Sequence, residues 1–188
     1  ILRCLVGSEM CIRDRAKWFR NSGGQSELRH NRIRHIYEDR EGLVWIATDG
    51  GIARYEPSRD AFVYYDIQSP DGRKNSNWAY GVYEDEAGRL WVAAYLGGLF
   101  VVDKKRLMSH DSSRPFTELI RHLDKENGLS DFVYGMVSNG QHTLWVNTQN
   151  GLASVDTQTF EVSFKNLFLD CMIYDCLLYT SPSPRDIS

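Results

Sequence analysis

Three copies of one unit are written into this chain, and internal repetition at such a period constrains the fold more than composition does. "RIRHIYEDREGLVWIATDGGIARYE" begins at Arg32, "WAYGVYEDEAGRLWVAAYLGGLFVVD" at Trp78, and "FVYGMVSNGQHTLWVNTQNGLASVD" at Phe132. In each copy the first residue lies thirteen positions before a tryptophan: Trp45, Trp91 or Trp145. A short β-prone run follows the Trp, then a turn ("TDGG", "YLGG" or "TQNG") that closes on Gly51, Gly98 or Gly151, then a second β-prone run. Glycine at such a turn supplies a positive φ without steric cost.

Each copy offers four strands, "RHIYE", "LVWIAT", "GIARYE" and "AFVYYD" in the first. Four-stranded antiparallel units repeating at this period are the signature of β-propeller blades. The expectation is an all-β chain with blades at about 32–66, 78–124 and 132–165. A blade buries its faces only against neighbouring blades, so Trp45, Trp91 and Trp145, with Gly51, Gly98 and Gly151, are read as structural core positions. Propellers close with roughly four to eight blades. Three blades are therefore a fragment, and the remaining blades of a parent chain are its first expected partner.

The Trp spacings are 46 and 54, and the surplus falls in "KKRLMSHDSSRP". That stretch is polar and turn-rich and reads as a surface loop. Phe116, Leu119, Ile120 and Leu123 would stripe a helix, but the repeat register places a fourth strand there, and the strand is preferred.

The two ends do not share the repeat pattern. Codons can be chosen for Leu5 to Arg15, "LVGSEMCIRDR", whose reverse complement encodes "CLLYTSPSPR", which is Cys176 to Arg185. Such DNA resembles the adapter of transposase-based sequencing libraries. Residues 1–15 and 175–188 are thus expected to be adapter-derived, leaving 16–174 as the propeller fragment. "NLFLDCMIY" after Lys165 would begin a further blade or a connecting strand.

A formal net charge of −3 and the lack of a basic block give no reason to expect nucleic acid in this region. No run of some 18 apolar residues is present to span a membrane. Of the four cysteines, only Cys171 lies outside the adapter-like ends, too few for an internal disulfide or a thiolate cluster.

"IYEDREGLVWIATDGGIARYE" resembles the two-component regulator propeller repeat: a hydrophobic strand, then E-D-x-x-G-x-[LI]-W-[IV]-x-T-x-x-G-[LI]-x-x-[YF]-[DN]. "ENGLSDFVYGMV" is similar to that family's linker between blades. The third copy departs from the pattern, with Ser138 and Asn139 for the Glu-Asp pair and His142 for the turn glycine. The resemblance implies a periplasmic sensor ectodomain of a hybrid two-component system. Such a region would recognise an oligosaccharide breakdown product and signal to a cytoplasmic histidine kinase. The parent family carries two propellers, a β-sandwich, a membrane helix, the kinase, a receiver and a DNA-binding domain. A homodimer of the parent sensor is a further expected association. The alternatives are a propeller enzyme, either a lyase or a sialidase-like hydrolase, and a protein-docking propeller.

No catalytic residue, metal ligand set or cofactor motif emerges. The carboxylates in "EDREG" and "EDEAG" lack the regular oxygen spacing of a calcium loop. Asp39 and Asp85 read instead as caps on their own turns. The D-x-x-G-x-x-W pattern is one residue longer than the sialidase box. The five histidines show no metal-ligand spacing, and no Ser/His/Asp signature or phosphate loop is present. The ligand-facing expectation comes from topology. The turns between second and third strands share one face with the links into the next blade. That face collects Asp49, Tyr95, Gln149 and Asn150 from the turns, and Asn77, Trp78 and Asp131 from the links. Aromatic planes with amides and carboxylates suit a sugar's C–H faces and hydroxyl groups.

Overall fold

The computed structural model describes residue 19 and residues 28–165. The adapter-like ends, and the "NLFLDCMIY" segment expected to begin a further blade, lie outside the described residues. Among the described residues, twelve strands form three four-stranded antiparallel sheets, each a meander whose spatial order follows the chain. The first holds β1 (Ile33–Glu38), β2 (Val44–Thr48), β3 (Gly51–Glu56) and β4 (Ala61–Tyr65). The second holds β5 (Ala79–Glu84), β6 (Arg89–Ala94), β7 (Gly98–Asp103) and β8 (Arg121–Leu123). The third holds β9 (Val133–Ser138), β10 (Thr143–Thr148), β11 (Gly151–Asp156) and β12 (Val162–Lys165). This is a β-propeller fragment of three blades, with the first strands β1, β5 and β9 side by side.

Alternation along the strands decides which sheets touch. In β6, Leu90, Val92 and Ala94 face the first sheet, packing with Trp45, Ala47, Ile52 and Tyr65. Trp91 and Ala93 face the third sheet and pack with Val133, Leu144 and Val146. The middle sheet is buried on both faces, which is why "LWVAA" and "LFVV" run apolar without alternation. Trp45 and Trp91 are both fully buried, each facing the sheet that follows its own. Trp145 is half-buried, since among the described residues no sheet follows the third.

The turns obey the repeat. Gly51, Gly98 and Gly151 have φ of +100°, +77° and +108°, in the region that a Cβ disfavours. Gly98 is the tightest: an added Cβ would sit 2.3 Å from the Leu123 carbonyl oxygen. In the third blade the left-handed residue after the first strand is Gly140 (φ +76°), two positions earlier in the pattern than Gly42 and Gly88. Asn139 still caps that turn by accepting from Gln141 N–H at 3.0 Å. The missing glycine at His142 is therefore compensated locally.

The segment after β7 is not the loop that its composition suggests. Lys104–Ser109 forms a helix, α1, with Asp103 as N-cap accepting from Arg106 N–H at 2.8 Å. Leu107 is fully buried against the core between the first two sheets, and Met108 packs beside it. Two apolar residues in a polar run were enough to turn the segment inward. The preferred strand beyond it is present but short, as β8.

Candidate binding face

Asp39 and Asp85 hold the face at which each first strand turns into the second. Asp39 Oδ1 accepts from the backbone N–H of Glu41 (3.0 Å) and Leu43 (2.9 Å). Its Oδ2 accepts from Trp45 Nε1 at 2.9 Å. Asp85 repeats the pattern with Ala87, Arg89 and Trp91. These carboxylates cap turns and satisfy buried indoles. Lys104, 2% exposed at its side chain, reaches back from α1 to Glu84 (2.6 Å), Asp39 (3.1 Å) and Glu41 (3.3 Å). This cluster ties the second blade to the first. Its members lie far apart in the chain, so no local pattern announces it. Among the described residues, no group of three or more His, Cys, Asp or Glu is placed to hold a metal ion. Among the same residues, no helix is long and apolar enough to cross a membrane.

The opposite face carries the candidate ligand residues. The turn residue of each sheet donates its backbone N–H to the carbonyl that opens the same repeat: Asp49 to Arg32 (3.3 Å), Tyr95 to Trp78 (3.0 Å), Gln149 to Phe132 (3.2 Å). The first two turns also abut the link into the next blade. Gly98 N–H donates to the Asp131 carbonyl at 3.0 Å, and a Cβ on Gly51 would lie 3.7 Å from Asn77 Oδ1.

A cleft of about 320 Å³ opens here, lined by Arg73, Lys74, Asn75, Asn77, Trp78, Tyr95 and Leu96. Trp78 is 48% exposed, and its ring centroid lies 5.6 Å from that of Tyr95. Trp78 (φ +56°) and Leu96 (φ +71°) both adopt the left-handed conformation that bulky residues rarely take. Backbone strain of that kind gathers at ligand sites, though Asp60 and Phe160 show it at turns elsewhere.

Of the expected residues, Asn77, Trp78 and Tyr95 share this cleft. Asp131 stands behind it, its carboxylate bonded to Lys74 and 3.5 Å from Lys125. Burial raises the Asp131 carboxyl, but the hydrogen bonds from Lys74 and from the Lys125 backbone N–H, with the charges of both lysines, together more than offset this and hold it below the usual range. Asp49 lies at the first sheet's turn, taken up by Arg34 (2.7 Å) and Arg32 (3.2 Å). The Arg34 hydrogen bond holds the Asp49 carboxyl low. Gln149 and Asn150 are exposed at the third sheet's turn and do not line the cleft. Sequence reasoning missed Arg73, Lys74, Asn75 and Leu96 in the cleft. It also missed Tyr80, whose ring lies 5.7 Å from Tyr95, and Tyr134, 5.8 Å from Tyr95. Tyr80 and Tyr134 occupy one position of the repeat, a signal available in the sequence.

The pattern described as "Two component regulator propeller" matches residues 27–50. Two solved structures of the extracellular domain of BT4673 from B. thetaiotaomicron are similar to this chain. One is described as a one-component and the other as a hybrid two-component system. They align with TM-scores of 0.76 and 0.75 at 38% and 39% identity, over 82% and 81% of this chain. The chain spans about a fifth of those solved extracellular domains, 21% and 20% of their lengths. The extracellular domain of BT3049 from the same organism, described as a hybrid two-component system, matches at a TM-score of 0.54. Its 18% identity, over 73% of this chain and 17% of its own, speaks to the fold alone. No curated protein matches.

Proposed function

The chain carries the two-component regulator propeller repeat, and on that footing we propose that it is a three-blade stretch of the periplasmic sensor region of a hybrid two-component system. In this reading its binding face recognises an oligosaccharide and the parent protein passes the signal to a cytoplasmic histidine kinase. The observation that carries it is the cleft beside Trp78 and Tyr95. An indole nearly half exposed, in a strained backbone conformation, stands there with Asn75 and Asn77. A stable fold does not need such an arrangement, whereas a pyranose ring does: aromatic planes take its C–H face and amides its hydroxyl groups. Identity of 39% to an extracellular domain described as that of a hybrid two-component system supports the location and the sensing role.

The test is calorimetric titration of the chain with neutral oligosaccharides, with turnover followed in parallel. Saturable binding without cleavage is expected. Cleavage of the sugar would replace this reading with a propeller enzyme, and failure of every oligosaccharide to bind would remove the sugar.

A further inference from the structure

The three inner strands share one irregularity, and it falls on the same residue of each repeat. Between β1 and β2, Ile33 pairs with Thr48 and His35 with Ala47, so Arg34 has no opposite number. Between β5 and β6, Ala79 pairs with Ala94 and Gly81 with Ala93, leaving out Tyr80. Between β9 and β10, Val133 pairs with Thr148 and Gly135 with Asn147, leaving out Tyr134. A β-bulge adds one residue to one strand and re-aims its side chain, and bulges are enriched beside functional sites.

The three re-aimed side chains meet. The Arg34 guanidinium lies 4.4 Å from the Tyr80 ring centroid, and Tyr134 stands edge-on to Tyr80 at 6.3 Å. Tyr95 joins this row to Trp78 and the cleft. The scaffold around the bulge repeats while the bulged residue changes from Arg to Tyr. Such a position can alter recognition without altering the fold.

Charge narrows the ligand. Each cation along this path already faces a carboxylate: Arg32 and Arg34 meet Asp49, Arg73 meets Asp71 at 3.4 Å, and Lys74 meets Asp124 and Asp131. An anionic sugar would share these cations with carboxylates already bound to them and would meet the repulsion of those carboxylates, while an uncharged one would not.

We propose that the bulged residues Arg34, Tyr80 and Tyr134 determine ligand specificity, and that the ligand is an uncharged oligosaccharide extending from the Trp78 cleft across them. The proposal rests on the sensing role inferred above and adds the reading positions and the charge class.

The experiment titrates the full chain with galacto-, xylo- and manno-oligosaccharides, and separately with oligogalacturonates. Wild type, Tyr80→Ala, Tyr134→Ala and the remote control Phe164→Ala are compared, with melting temperature recorded for each. Tyr134 is 37% exposed, so its variant keeps the fold even where Tyr80→Ala does not. The expected result is neutral-sugar binding by wild type and control. Each tyrosine variant should bind about tenfold more weakly at unchanged melting temperature, the scale of one lost aromatic contact. Neutral-sugar binding that survives in both tyrosine variants overturns this inference and leaves the sensing role intact. Tighter binding of oligogalacturonates overturns the charge class. Absence of all sugar binding in wild type overturns the sensing role and this inference with it.

Discussion

The carboxylate of Asp85 accepts a hydrogen bond from the indole N–H of Trp91 at 2.8 Å, and Asp39 does the same for Trp45 at 2.9 Å. The two pairs sit at equivalent places in successive blades. The third blade offers Asn139 in that place, and Trp145 there is half-buried rather than enclosed.

Asp85→Ala therefore removes more than a turn cap. It strands the indole N–H of a fully buried Trp and takes one partner, at 2.7 Å, from the Arg89 guanidinium, which keeps its bond to the Thr157 carbonyl. Leaving such groups unsatisfied costs about 1–3 kcal/mol each, so a loss of about 2–4 kcal/mol is expected. Asn139→Ala gives up a cap alone and should cost about 1 kcal/mol. Urea unfolding of both variants checks the contrast, and equal losses would refute the role assigned to the indole bond.

Lys104 is the next weak point. Burial lowers its ammonium pKa, but hydrogen bonds to Glu84, Asp39 and Glu41 more than reverse that, and the net shift is upward. Replacing it by Met leaves Asp39 and Glu84 buried without their cation, at a cost of about 3–5 kcal/mol. The melting temperature of Lys104→Met checks this, and a change near zero would mean that the cluster does not bind the blades together.

The same cluster sets a pH window. Burial raises the Asp39 carboxyl, yet the hydrogen bonds from Trp45, Leu43, Lys104 and Glu41 hold it below its ordinary value. Its contribution is present above the unfolded carboxyl pKa of about 3.9 and disappears as pH falls through the lower folded value. Lys104 has the opposite sign. Its contribution is complete below the unfolded pKa of about 10.4 and is lost as pH rises through the higher folded value. Melting temperature should be nearly flat between about pH 5 and 10 as far as these two groups decide it. A steep loss near about pH 7, well inside that window, would point to other groups.

Equivalent glycines should not respond equally. Gly98→Ala meets both the left-handed backbone and the Leu123 carbonyl, 2.3 Å from the new Cβ. Gly51→Ala meets the backbone penalty, with its nearest neighbour at 3.7 Å. The backbone term is about 1–2 kcal/mol, so Gly51→Ala should lose about that and Gly98→Ala clearly more. Denaturation midpoints decide it, and a milder Gly98 variant would contradict the close approach.

How much of this was legible depended on whether the signal was local or repeated. The Trp and turn-glycine pattern gave three blades of four strands, because each repeats at a fixed offset and obeys simple stereochemistry. Helix α1 was hidden, since Leu107 and Met108 are two apolar residues in a polar run and only the core beneath them makes them matter. Lys104 was hidden for a related reason: its partners Asp39 and Glu84 come from other parts of the chain and meet it through the packing of two sheets. Trp78 and Tyr95 could be placed on one face from topology, but the bulges at Arg34, Tyr80 and Tyr134 are register slips that no composition announces. Topology put Asp131 on the ligand-facing side, but its pairing with Lys74 was hidden, because neighbouring side chains, not the link's position, decide what a carboxylate bonds to.

Sugar binding at the face that bears Trp78 is tested most directly by tryptophan fluorescence. Trp45 and Trp91 are fully buried while Trp78 is 48% exposed, so a ligand in the cleft should change the Trp78 signal first. Titration with neutral oligosaccharides should give a saturable change in emission that Trp78→Phe removes, with the fold unchanged by circular dichroism. An identical, saturable change in Trp78→Phe would put the ligand elsewhere, and no change in wild type at any concentration would contradict the account.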